Sequence, residues 1–445
     1  MPLVVIVGQQ DRRHLVFEPF LTGRLRGLAG EYPVWIDEPV RAQDVPGALD
    51  RAWHEAATGR GPALVTVPMD DWLEEVDAER EDAAPARVVR APAVDEAVVE
   101  ELASFLAAAR APALVRGAGA ADPASWAALV ELAERLVAPV FQESFGARPG
   151  FPQDHPHFAG FLPADRPRLR ELLAPFDAVL VLGAGAFRQS PWTAGRFTEP
   201  STRVALVSDD PAEVHRSPVE LALLAPPGAV ARALAARVPA RQAPPPAPFE
   251  PPPAPPPPGP GEPLTASHVL AALAGRLPED VVLLEEAPVD RPELHERLLA
   301  RTPLGFVSAA MGGLGFGVPA AAGLRLALPD RPVVAVIGDG SSLYGIQGLW
   351  SAAHYRAGVL FVILSNGGYA IMDRLAERTG ETGPWPGFAE LEIAALARGF
   401  GCAAQRIEAH DELLAALDEV LPTLARREEP LLLDVAVAPT ATFAP

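Results

Sequence analysis

Short runs of almost wholly apolar residues recur along this chain, with helix-length segments between them. Residues 3–7, 63–67, 112–116, 178–182, 204–207, 281–284, 333–337, 360–364 and 431–437 are such runs. A strand that is apolar at nearly every position is buried on both faces, and a helical return between strands makes the pairing parallel. The pattern therefore predicts an α/β protein with doubly wound parallel sheets. The length of 445 residues predicts two or three domains.

Three α/β blocks are separable. The first covers residues 1–78, with a helix over 45–57 that Asp44 caps and Pro46 opens. The second covers 92–238 and contains an amphipathic helix over 95–109, a helix over 126–136 and a short strand at 139–141. The third covers 264–440, opening on a helix that runs to Leu277 and is capped by Thr265 or Ser267. It has a further helix over 349–355. Residues 242–263 are a proline-rich linker with runs at 244–246, 251–253 and 255–258, read as an extended spacer.

Composition removes several classes. A net charge of −20 argues against a phosphate track for nucleic acid. No apolar run is long enough to span a membrane, and the first eight residues lack the basic region of a signal peptide. Cys402 is the sole cysteine, so no internal disulfide forms; a cytoplasmic setting is expected. All 37 basic residues are arginine. Without lysine, neither a Walker-A phosphate loop nor a pyridoxal Schiff base can be built.

The chemistry concentrates at Gly338-Asp339-Gly340 and Asn366-Gly367-Gly368. Asp339 ends one apolar run and Asn366 the next, a step of 27 residues with a helix between. In a parallel sheet both lie at the carboxyl edge, where such folds bind ligands. A carboxylate, an amide oxygen and a backbone carbonyl form a hard-oxygen set suited to Mg²⁺, which completes its shell with water and phosphate. Gly340 and Ser341 open the next helix with their N–H groups facing an anion. Gly-Asp-Gly alone would be an ordinary turn; its spacing to Asn366 favours the functional reading.

The stretch 338–369 resembles the thiamin-diphosphate signature, and the chain looks most like benzoylformate decarboxylase and its relatives. Segments 8–10, 68–72, 151–156, 309–316, 338–341 and 349–353 carry the likeness. The resemblance implies Mg²⁺ bound by Asp339, Asn366 and the Gly368 carbonyl. It places Gly340, Ser341 and Tyr369 against the diphosphate. Leu314 becomes the apolar wedge that bends the cofactor, and the Gly312 carbonyl accepts from its amino group. Ile371 and Leu375 would face the substrate, although residues one turn apart could equally be core. The implied reaction is non-oxidative decarboxylation of a benzoylformate-like 2-oxo acid to an aldehyde. Acetolactate-synthase-like carboligation is the alternative, and an inactive thiamin-diphosphate-binding subunit is another.

The resemblance also implies a glutamate, a serine and a histidine with no counterpart here, so no catalytic residue is assigned. Glu18 and Glu38 do not match the glutamate's motif and read as solvated loop residues. Ser190 stands where this branch has a second histidine, and His14, His54 and His354 read as surface or structural residues. The first block looks like only the second half of a pyrimidine-binding domain. A mis-assigned start, an inactive chain or a separate partner chain supplying the other half are the three expectations, in that order. A homodimer or homotetramer is implied by the same resemblance.

Overall fold

In the computed structural model, residues 2–75, 94–378 and 380–441 are described, in two units divided near residue 91. In the first unit, β1 (Leu3–Gln9), β2 (Trp35–Asp37) and β3 (Pro62–Pro68) form a parallel sheet in the order β1-β3-β2. The helix Val45–Gly59, with Asp44 at its N-cap and proline in its first turn, puts Ala48, Ala52 and Ala56 against Val65 and Val67. One apolar layer results, on one side of the sheet.

β1 is therefore not the fully buried strand that its composition predicts. Leu3 and Ile6 are each 50% exposed. The reason is topological: among the described residues, β1 pairs on one edge only and a single helix covers the sheet. The boundaries expected at residues 78 and 92 lie outside the described residues.

The second unit contains two six-stranded parallel sheets. The central one comprises β4 (Pro112–Arg116), β5 (Val140–Gln142), β6 (Phe158–Phe161), β7 (Ala178–Leu182), β8 (Arg203–Ser208) and β9 (Leu221–Leu224), in the order β6-β5-β4-β7-β8-β9. Alternate residues feed two cores. Leu114, Leu180 and Val207 point to one and Val115, Val181 and Leu206 to the other. That split is the signature of a sheet covered on both faces. The helices Glu96–Ala107 and Pro123–Leu136 start at Asp95 and Asp122, whose carboxylates accept from Ala97 and Ser125 N–H groups.

The third sheet comprises β10 (Val282–Glu286), β11 (Phe306–Ser308), β12 (Val333–Gly338), β13 (Leu360–Ser365), β14 (Ala403–Ile407) and β15 (Leu431–Ala436), in the order β11-β10-β12-β13-β15-β14. It too separates two cores: Val334, Val336 and Val362 face one, Ala335, Ile337 and Ile363 the other. Its first helix, Ala266–Ala274, is capped by Thr265 in a reciprocal box with His268. The order reverses between β10 and β12, so the crevice beyond their carboxyl ends is a topological switch point.

The proline-rich stretch has no helix or strand, as expected, but it is not a free spacer. Phe249 N–H donates to the Phe158 carbonyl at 2.8 Å, and its ring packs edge-on to Phe158 and Phe161. Arg297 donates to the carbonyls of Pro252 and Pro253. Proline carbonyls lack an intramolecular partner in an extended chain, and here an arginine fork supplies one. No helix among the described residues is long and apolar enough to cross a membrane.

Candidate active site at the carboxyl edge of the third sheet

β12 and β13 are parallel neighbours, with Gly338 opposite Leu364, so Asp339 and Asn366 emerge side by side at the carboxyl edge. Asp339 is 4% exposed. Its Oδ1 accepts from Gly340 N–H at 2.8 Å and its Oδ2 from Gly367 N–H at 2.7 Å. Asn366 Oδ1 accepts from Gly368 N–H at 3.1 Å. Burial raises the Asp339 carboxyl above its ordinary value, against the backbone N–H groups that lower it, and Asp434 raises it further. An ionised, desolvated carboxylate at this edge is stabilised by a cation.

Glycine shapes the space around it. A Cβ on Gly340 would lie 2.7 Å from the Tyr369 ring and 2.9 Å from Phe388, so only glycine lets these rings close over the strand end. Around Gly368, Gly312 and Gly313 a Cβ would meet nothing within 4 Å. Tyr369 packs edge-on to Phe388 at 5.0 Å. A hydrogen bond with Tyr344 holds its hydroxyl above the ordinary phenol range. Ser341 is buried in the short helix Asp339–Leu343, and Ser342 Oγ donates to the Asp339 carbonyl at 2.7 Å.

Leu314 sits in a loop with Gly312 at φ 71° and Gly315 at φ 90°. It is 38% exposed, so it is not a core leucine. The loop is fixed by Glu286, the last residue of β10, whose carboxylate accepts from Gly315 and Gly317 N–H. Burial raises the Glu286 carboxyl, against those N–H donors. Across the switch point, Glu286 and Asp339 thus flank the same crevice. No motif in the sequence marks Glu286, and none marks Asp290, which is buried nearby and accepts from Thr440 Oγ1 at 2.5 Å.

Ile371 is half-buried and Leu375 is 38% exposed on the helix Ala370–Glu377, so neither belongs to the core. Ser190 is exposed in the loop after β7, with its N–H on the Ala164 carbonyl. Glu18, Glu38, His14, His54 and His354 are exposed as expected, and His354 stacks on Trp350 at 4.7 Å.

The donors fit a hard divalent cation carrying a diphosphate: one carboxylate, one amide oxygen and one glycine carbonyl beside open space. Residues 294–435 match the model of the thiamine pyrophosphate enzyme C-terminal TPP binding domain. Residues 99–234 match the central domain of the same enzymes. The chain is 35% identical over 449 residues to a benzoylformate decarboxylase of Pseudomonas aeruginosa, covering 100% of this chain and 83% of the relative. The structure superimposes on a thiamine diphosphate-dependent 4-hydroxybenzoylformate decarboxylase of Rhodococcus jostii with a TM-score of 0.89. Identity is 32%, over 99% of this chain and 82% of that one. A benzoylformate decarboxylase of Polynucleobacter necessarius gives 0.88 at 30% identity, over 99% and 82%. This chain belongs to the thiamine pyrophosphate enzyme family.

Proposed function

We propose that the chain binds thiamine diphosphate through Mg²⁺ at the β12–β13 edge and decarboxylates an apolar, benzoylformate-like 2-oxo acid to its aldehyde. The observation that carries this reading is the side-by-side emergence of Asp339 and Asn366 beside the open space at Gly368. Asp339, Asn366 Oδ1 and the Gly368 carbonyl hold the cation. Gly340, Ser341 and Tyr369 lie against the diphosphate. Leu314 would support the cofactor, and the Gly312 carbonyl would accept from its amino group. When bound, the cofactor supplies the electron sink for the pair released as CO₂ leaves. Ile371 and Leu375 give the substrate side chain an apolar wall and exclude water.

Decarboxylation is preferred to carboligation because the relatives named above, at 35% and 32% identity, are decarboxylases. Self-association is part of the reading, since Tyr344 and Trp350, near the site, are each more than half exposed. The edge of β1 that pairs with no strand among the described residues favours a second reading, in which turnover requires a further polypeptide over that edge.

Calorimetric titration of thiamine diphosphate with and without Mg²⁺, followed by CO₂ release from benzoylformate and from pyruvate, tests both. Tight Mg²⁺-dependent binding with CO₂ release supports the first reading. Binding without release from the chain alone supports the second. Absence of binding overturns both.

A further inference from the structure

Arg188 lies in the loop after β7 and reaches the loop that carries Leu314. Its Nη1 is 3.7 Å from the sulfur of Met311, the residue directly before Gly312. Phe187, just before it, is buried and holds a left-handed φ of 65°. That conformation is costly for a bulky side chain and persists where the surroundings enforce it. Arg188 Nη2 donates to Glu213 Oε1, a buried carboxylate that also accepts from Arg216. One carboxylate cannot neutralise two guanidiniums. Glu143 also faces Arg188 electrostatically, but burial pushes its carboxyl up to about 7, which leaves it part-neutral near that pH. The Arg188 side chain is 34% exposed against 7% for Glu213.

We infer that Arg188 is the specificity residue that captures the substrate's carboxylate, resting on the 2-oxo acid reading above. A guanidinium fork matches a carboxylate in two hydrogen bonds. That pairing belongs to the bound acid and is lost as CO₂ departs. Arg188 therefore lowers KM without raising kcat, because it stabilises the ground state rather than the transition state. Loss of a residue that merely braced Glu213 and the loop would instead lower thermal stability and kcat.

The test uses the full chain loaded with thiamine diphosphate and Mg²⁺, comparing wild type with Arg188→Gln. The probes are mandelate, a 2-hydroxy acid that keeps the carboxylate and cannot react, and benzyl alcohol, which lacks it. Mandelate Kd should rise at least tenfold, with cofactor Kd and benzyl alcohol Kd within twofold of wild type. Where turnover is seen, KM and kcat should rise together, leaving kcat/KM near wild type. A mandelate Kd within twofold of wild type, or equal weakening of both probes, overturns the inference while leaving the parent reading intact. Failure of wild type to bind the cofactor overturns the parent reading and this one with it. If Arg188→Gln folds poorly, Arg188→Met, which keeps the stem against Met311, is read by the same criteria.

Discussion

The backbone N–H of Gly367 donates to Asp339 Oδ2 at 2.7 Å, joining the end of β13 to the end of β12. The bond fixes the carboxylate but leaves its charge to be met by a cation. Asp339→Asn removes the charge and keeps one of the two acceptors that Gly340 and Gly367 N–H now share. Thiamine diphosphate affinity in Mg²⁺ should fall by at least tenfold, while the melting temperature of the ligand-free protein changes little, since the lost hydrogen bond is offset by relief of the buried charge. Titration calorimetry and thermal melts check both. Unchanged affinity would sink the assigned cation site.

Asp290 offers a pH test. Burial pushes its carboxyl up to about 6, above the ordinary carboxylate range, and only the Thr440 hydrogen bond opposes this directly. For an acid whose folded pKa is raised, stability is present below the unfolded pKa and is lost as pH rises through the folded one. At about 1.4 kcal/mol for each tenfold change in acidity, the ionised form costs up to about 3 kcal/mol. Ligand-free protein should lose stability between about pH 4 and 6, and Asp290→Asn should flatten that slope and raise the melting temperature at about pH 7.5. Denaturant midpoints across this range give the answer. An unchanged slope in the variant means Asp290 is not the group.

The placement of Asp339 and Asn366 is legible in the sequence because an all-apolar run marks a strand covered on both faces, and each polar residue stands at the end of one. Glu286 is not legible. Its partners, Gly315 and Gly317, lie 29 and 31 positions away, and nothing local to a Glu-Glu pair announces that it will accept their N–H groups. β6 and β9 are missed for a related reason: they are edge strands of four residues, with alternating burial. β1 shows the converse. Its composition is that of a core strand, but hydrophobicity reports what a strand can bury and not whether cover is present.

Leu314 and Gly340 separate a cofactor role from a packing role. A buried leucine truncated to alanine costs about 2–5 kcal/mol. Leu314 is 38% exposed, so Leu314→Ala should shift the melting temperature little and instead reduce turnover or cofactor affinity. Gly340→Ala should lose both stability and binding. The added Cβ meets the Tyr369 and Phe388 rings below 3 Å, so overpacking of about 1–3 kcal/mol should accompany loss of cofactor binding. Thermal melts beside cofactor titrations distinguish the two variants. A large stability loss in Leu314→Ala would return that residue to the core.

Arg116, at the end of β4, gives the last prediction. It is wholly buried, and its Nε, Nη1 and Nη2 have no hydrogen-bond partner among the described residues. Burial pushes its guanidinium down to about 9; Glu143 and Asp122 act on it only at a distance, without an ion pair. A charge held this way is expensive, and replacing such a group by an apolar side chain of similar volume commonly stabilises by about 1–4 kcal/mol. Arg116→Met should therefore raise the denaturant midpoint. The gain is limited because Arg116 also lowers the Glu143 carboxyl, which burial otherwise raises. Removing both charges in Arg116→Met/Glu143→Gln should stabilise more than the single change, and a double-mutant cycle measures the coupling. If Arg116→Met instead destabilises by more than about 2 kcal/mol, the guanidinium is paired in solution and the central sheet holds an anion or water there.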